Sequence, residues 1–240
     1  MIKRIFLVIG LLACTGFVFW CFYPQYVNNR SVVIYQKLKT NPFSEPKVCL
    51  QPFLGLDTAT VQEVKRAIEK YYAFEVEVLP TDKLPDHART TNIPALKYYN
   101  PLPDRYRADT LLRFLKKNKP SDCTYCLGLT HKDISTTKTR NRKIKEPTWM
   151  YTDWGIFGLG LNPGPTCILS IYRLSRDTQN PDKIRTRLRK IALHELGHNL
   201  GLPHCPNPAC FMRDAVETIL TIDAAPEDLC EVCKKTVFLK

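Results

Sequence analysis

Three imidazoles and one carboxylate lie within eleven residues, in the run His194-Glu195-Leu196-Gly197-His198-Asn199-Leu200-Gly201-Leu202-Pro203-His204. Three of the five histidines of the chain are concentrated there. On a helix His194 and His198, four positions apart, share one face. Gly201 can take a left-handed conformation, end that helix and turn the chain back, and His204 can then approach from the far side. Three neutral nitrogens leave one position open on a zinc ion, which marks a catalytic rather than a structural site. Zinc lowers the pKa of a water held there and polarises a carbonyl. Glu195 is placed to take that water's proton and pass it to a leaving amine. No serine or cysteine nucleophile arrangement accompanies the run, so no covalent intermediate is expected. A helix with incidental histidines would suit a lone His-x-x-x-His, but not the whole set.

A second cluster begins at once. Cys205 follows His204, then come Cys210, Met212, Cys230 and Cys233. Short spacings separated by a longer loop suit a tetrahedral four-cysteine zinc site. Four thiolates fill the ion, so this metal would be structural and would tie the last thirty or so residues to the catalytic loop. Two disulfides are the rival arrangement in an exported protein. A zinc module for nucleic acid is the third, disfavoured because the tail has little basic charge before Lys234. Met212 is either core filler or a floor beneath the histidines.

The segment His194–Cys233 resembles the signature of the archaemetzincins, a branch of the metzincin zinc peptidases. That signature reads His-Glu-x-x-His-x-x-Gly-x-x-His-Cys, four residues, Cys-x-Met, seventeen residues, Cys-x-x-Cys, and every fixed position is met. Weaker echoes lie in Arg105-Tyr106-Arg107-Ala108-Asp109, Leu127-Gly128-Leu129-Thr130 and Ile171-Tyr172-Arg173-Leu174. The resemblance covers about residue 48 to the end. It implies catalytic zinc on His194, His198 and His204 with Glu195 as general base, a second zinc on Cys205, Cys210, Cys230 and Cys233, and a Met-turn at Met212. It also implies an α/β zincin fold: a mixed twisted sheet over a central active-site helix, with a small C-terminal subdomain holding the four-cysteine site. The expected function is a zinc-dependent peptidase acting on a peptide or protein substrate, with two zinc ions. A noncatalytic zinc-stabilised interaction domain and a hydrolase of non-peptide amide bonds are the alternatives. Glu195 argues against the first, since a scaffold has no chemical need of that carboxylate.

The elements that must carry these residues follow from periodicity. Thr58 to Tyr71 is helical, with Val61, Val64, Ala67 and Ile68 on one side and Thr58 or Thr60 as cap. Residues 73–79 alternate like a strand. Tyr106 to Lys117 is a second helix, Tyr125 to Leu129 begins a strand, and Cys167 to Leu174 is another. Pro181 starts a long helix to Leu200 with Ile184, Leu188, Ile191, Ala192 and Leu196 as its apolar side. By resemblance to the metzincin arrangement, Gly155 to Leu161 is the candidate edge strand above the active-site helix, which could hold an extended peptide by strand addition. A plain hairpin arm is the other reading. Cys123 and Cys126 could pair or be buried thiols, Cys167 is unpaired, Cys49 could lid the zinc, and His87 and His131 are incidental.

The expected domain plan is 1–23 as a membrane anchor or signal segment, 24–47 as tether, 48–203 as catalytic subdomain and 204–240 as C-terminal subdomain. Ile5 to Tyr23 carries no charge, and as a helix would rise roughly 28 Å, near the thickness of a bilayer's hydrocarbon core. A transmembrane anchor with an extracytoplasmic catalytic domain is therefore expected. A lipoprotein signal at Cys14 or ordinary secretion are the alternatives. The net charge of +12 is concentrated at Lys138, Arg140, Arg142, Lys143 and Lys145, and at Lys183, Arg185, Arg187, Arg189 and Lys190. These read as a solvated loop and an outer helix face. Attraction to anionic lipid or an acidic substrate comes next, and nucleic acid is disfavoured because no aromatics interleave with the first run.

Overall fold

The computed structural model describes residues 46–92, 104–138, 149–213 and 218–238. Its main sheet is five-stranded. The strands are β1 (Lys47–Pro52), β2 (Glu75–Val78), β4 (Tyr125–Thr130), β7 (Gly158–Gly160) and β8 (Thr166–Ser170). Their order is β2-β1-β4-β8-β7. The first four run parallel and β7 pairs antiparallel with β8. A smaller sheet joins β3 (Tyr106–Arg107), β5 (Ile134–Thr136) and β6 (Trp154–Ile156). Parallel strands need crossovers, and α1 (Thr58–Tyr72) and α2 (Ala108–Asn118) supply two of them. A single turn, α3 (Trp149–Thr152), precedes β6, and α4 (Pro181–Asn199), α5 (Ile219–Ala224) and α6 (Glu231–Phe238) follow β8.

Strand alternation assigns the two faces. Val48, Leu50, Leu127, Leu129, Cys167 and Leu169 pack with α1 and α4 in one core. Cys126 and Ile168 point the other way, with Phe53, toward Leu111 and Leu115 of α2. The central helix α4 thus lies against one face of a mixed sheet, as the zincin expectation required. Residues 73–79 do hold a strand, and the Ala108–Asn118 helix starts two residues later than the sequence pattern placed it. The strand expected over Cys167 to Leu174 ends at Ser170. The cap of α1 is neither Thr58 nor Thr60 but Asp57, whose carboxylate accepts from the Thr60 N–H at 2.7 Å and the Thr60 hydroxyl at 2.7 Å.

Two expectations are corrected here. A transmembrane helix, and with it membrane anchorage and an extracytoplasmic or lipoprotein location, is not upheld: no helix among the described residues is long and apolar enough to cross a membrane. The longest, α4, carries Asp182, Lys183, Arg185, Arg187, Arg189 and Lys190 in its first half. The segment 1–23 on which that expectation rested lies outside the described residues, as does the tether up to residue 45. The cysteine pairing also differs. Cys49 is no lid on the metal site, and Cys123 does not pair with Cys126. Cys49 and Cys123 form a disulfide, Cα–Cα 5.8 Å apart, because β1 and β4 are neighbours. Cys126 and Cys167 are buried thiols, and burial pushes Cys126 up to about 11.

The basic run on α4 is a solvated face only at its start, where Lys183 and Arg185 are exposed or half-exposed; the rest turns inward. Arg187 is 1% exposed. Its guanidinium donates to Asp177 at 2.5 and 2.8 Å, to Asp223 at 2.6 and 2.7 Å, and to the Leu174 carbonyl at 2.7 Å. Lys190 donates to the Ile222 and Asp223 carbonyls near the end of α5, where the helix dipole favours a cation. Arg189 joins Glu63 of α1 to Glu227. These cations clamp the C-terminal subdomain onto the central helix. Replacing Arg187 by Met should lower unfolding stability by about 3 kcal/mol, at the low end for a broken buried pair because both carboxylates keep solvent contact. Arg187→Lys should recover only part, since one ammonium cannot span two carboxylates. Urea denaturation of the variants checks both.

Candidate metal centre and active site

Helix α4 is nearly all buried over its last nine residues, which gives His194, Glu195 and His198 a rigid mount. Their helical spacing puts both imidazoles on one side, with ring centroids 4.6 Å apart. Gly201, at φ +92°, turns the chain. It delivers His204 back to the pair, with His198 Nε2 and His204 Nε2 3.2 Å apart. The ligand atoms of His194, His198 and His204 all lie within 4.8 Å of one another. Two nitrogens on one tetrahedral zinc, each about 2.05 Å from it, stand about 3.3 Å apart. The donor set therefore fits that ion.

Each ring is fixed from behind. His194 Nδ1 lies 2.8 Å from the Phe211 carbonyl, and His198 Nδ1 lies 2.8 Å from the Leu202 carbonyl. Both carbonyls can only accept, so each Nδ1 carries the proton and each Nε2 presents a lone pair to the shared space. Burial drives both imidazoles toward neutrality, His194 down to about 3 and His198 to about 4. His204 is exposed, which leaves the centre open on that side.

Glu195 points to the edge strand instead of the core. It is 6% exposed, and the Gly160 N–H donates to its carboxyl. Burial pushes its pKa up to about 8, against that hydrogen bond. The approach is close enough to require glycine. A Cβ at Gly158 would stand 2.6 Å from Glu195 Oε1, and one at Gly160 would stand 2.6 Å from the Glu195 carbonyl. Both β6 and β7 are terminal strands of their sheets among the described residues, which places a sheet edge beside Glu195. Behind this edge Arg173 and Arg105 bind Asp133, and Arg105 also binds Asp153. A Cβ at Gly155 would meet the Arg173 guanidinium.

Cys205, Cys210, Cys230 and Cys233 form the second group, their sulfurs again within 4.8 Å. Cys205 Sγ and Cys230 Sγ are 3.7 Å apart, against about 3.8 Å for two sulfurs on one zinc at 2.3 Å. The disulfide alternative for these four is not adopted, since all remain free thiols. Met212 is fully buried and lies under Gly197, where a Cβ would stand 2.6 Å from its sulfur. It is a floor beneath the histidine helix. The backbone partners Phe211 O, Leu202 O and the Gly160 N–H escaped sequence reasoning, because main-chain groups carry no residue signature. Asn162, which binds the Leu202 carbonyl, and Asn199, which binds the Leu161 and Thr166 carbonyls, escaped it as well. Only the glycine alternation Gly158-Leu159-Gly160 gave any signal.

Three clustered histidines under a mixed sheet, with a glutamate next to the first of them and an edge strand beside it, make the arrangement of a zincin metallopeptidase. A profile of Peptidase family M54 matches residues 48–238. The archaemetzincin of Archaeoglobus fulgidus is 30% identical over 191 residues, covering 80% of this chain and 98% of the relative. The chain belongs to peptidase family M54, the archaemetzincins, and is a zinc metallopeptidase. Among solved structures, the A. fulgidus archaemetzincin complexed with malonate aligns at a TM-score of 0.58 with 27% identity, over 80% of this chain and 99% of that one. The archaemetzincin of Methanopyrus kandleri aligns at 0.62 with 26% identity, over 82% and 96%.

The buried imidazoles make a pH prediction for protein stripped of metal. A histidine whose folded pKa is lowered stabilises the fold fully above its unfolded value near 6.5, and this contribution is lost as pH falls toward the folded values. His194 and His198 should therefore stay neutral down to about pH 5, and stability should decline as pH drops below about 6.5. Imidazole nitrogen NMR and denaturation between these limits check the two statements.

Proposed function

We infer that the chain hydrolyses peptide bonds with Glu195 as general base, and that it carries two zinc ions. One would sit on His194, His198 and His204, the other on Cys205, Cys210, Cys230 and Cys233. The observation that carries this reading is the joint placement of three converging imidazole nitrogens and the Glu195 carboxyl, one residue from the first of them and turned toward a free strand edge. Residues 48–203 would form the catalytic subdomain and 204–240 the smaller unit that closes it from below.

Zinc bound to the histidines supplies Lewis acidity, polarising the scissile carbonyl and making water more acidic. The protein does the rest. The backbone of Gly155 to Leu161 would pair with an extended substrate, which sets its direction and depth without demanding a particular sequence. Glu195, held by the Gly160 N–H, would take a proton from the attacking water on a carboxylate oxygen. It would then hand that proton to the nitrogen of the departing amine. The sulfur site, with four protein ligands, leaves no position for substrate.

Glu195→Gln should cut hydrolysis of a proteome-derived peptide library at least about a hundredfold, with two zinc ions per chain retained by elemental analysis. Undiminished cleavage, or metal lost along with activity, would remove Glu195 from this role. Gly158→Ala should act on the same group by displacing it, lowering turnover about tenfold or more with metal content unchanged.

A further inference from the structure

The hairpin that carries the edge strand reaches back to the metal centre through a side chain with no assigned role. Asn162 lies just beyond β7, in the loop that leads to β8. Its Nδ2 donates to the Leu202 carbonyl at 2.8 Å and stands 3.4 Å from His198 Nδ1. The same carbonyl faces His198 Nδ1 at 2.8 Å. A carbonyl oxygen has two lone pairs and can accept from both. Leu202 is two residues before His204, on the return from Gly201. One oxygen therefore orients the second histidine ligand and fixes the segment that brings in the third.

We propose that Asn162 is a positioning residue for the histidine metal site: by holding the Leu202 carbonyl it sets the His198 ring and the approach of His204. The inference rests on the zinc ligands proposed above. A second contact makes the anchorage rigid from the helix side. Asn199 donates from Nδ2 to the Leu161 carbonyl at 3.0 Å and the Thr166 carbonyl at 2.8 Å, and the Gly164 N–H donates to the Asn199 carbonyl. The end of α4 and the hairpin thus hold one another on both sides of Asn162. Its carboxamide has little freedom to leave the Leu202 oxygen. The geometry also joins substrate edge to metal, because the strand that borders Glu195 continues directly into the residue that steadies His198.

Asn162→Asp keeps the size and removes the donor, setting a carboxylate against the carbonyl. Asn162→Ala removes the contact without that repulsion. Competition with a chromophoric chelator should show the histidine site weakened about ten- to a hundredfold in both variants, with the sulfur site unchanged. Cobalt placed in the histidine site should show altered visible bands in the variants, a change that a loosened hairpin distant from the ligands would not produce. Wild-type affinity and cobalt bands in both variants would overturn the proposal, as would equal loss from both metal sites, which reports general unfolding. If neither variant folds, the wild type decides. With zinc bound, the Asn162 side-chain amide hydrogens should exchange slowly, and exchange at the rate of an exposed asparagine would overturn the assignment. Failure of the wild type to hold metal at the histidines would instead strike the underlying ligand assignment.

Discussion

Convergence of three nitrogens on a volume the size of one ion is the demand that the rest of this fold meets. A helix can supply two of them by itself, since positions four apart share a face. It cannot supply the third, because the next position on that face lies a further turn along the axis. The chain must leave the helix and return. Gly201, at φ +92°, makes the reversal, and the Gly201 and Leu202 N–H groups bond back to the His198 and Gly197 carbonyls. Those bonds occupy carbonyls that a helix end leaves without partners. The helix terminus is thereby both finished and redirected toward His198, and the second imidazole gains its carbonyl partner in the same turn.

The returning segment contributes to both candidate metal clusters. Between His204 and Met212 the chain places one histidine of the first cluster, two cysteines of the second, the Phe211 carbonyl behind His194 and the sulfur beneath Gly197. The Cys205 N–H donates to the Met212 carbonyl and the Phe211 N–H to the Asp228 carbonyl, so the strap is stitched to itself and to the segment before Cys230. Tyr71 of α1 meets the same segment, its hydroxyl 2.8 Å from Asp228 and accepting from the Leu229 N–H. A small subdomain with little apolar bulk gains its fixed shape from these cross-ties and from the Arg187, Arg189 and Lys190 clamps on α4. Specific pairing of buried cations with carboxylates and helix-end carbonyls fixes orientation in a way that greasy contact alone does not.

How far the sequence carried this picture varies with the kind of signal. Residues whose type is the chemistry were plain: His194, His198 and His204 gather in one cluster and the four tail cysteines in another, as their spacing led one to expect. Amphipathic helices were plain too, because a side that must be apolar leaves a period. Charge was misread where burial reverses its meaning. Arg187 looks like any arginine in a basic run, and only the positions of Asp177 and Asp223, ten residues before it and thirty-six after it, turn it inward. The Cys49–Cys123 bridge was hidden for a related reason. Strand order decides which cysteines are neighbours, and β1 and β4 are separated by more than seventy residues. The anchor expectation rested on hydrophobic length alone, which no helix among the described residues reproduces.

The glycines of the edge strand show how closely its backbone must approach the Glu195 carboxyl. Side chains alternate across a strand, so Gly158 and Gly160 turn their missing side chains toward Glu195 while Leu159 packs in the opposite core with α2. A larger residue at either glycine would push the helix and its carboxyl away from the strand. With hydrogens there instead, the Gly160 N–H reaches the Glu195 carboxyl, and among the described residues no further strand pairs with β7 on that side. The register of one short strand therefore sets the height of the Glu195 carboxyl relative to the strand's edge. It is set in turn by pairing with β8, where Gly158 faces Leu169 and Gly160 faces Cys167. A slip of one residue would bring Leu159 onto the carboxylate and expose its place in the core. The sheet core thus specifies the geometry of the active site through ordinary apolar packing.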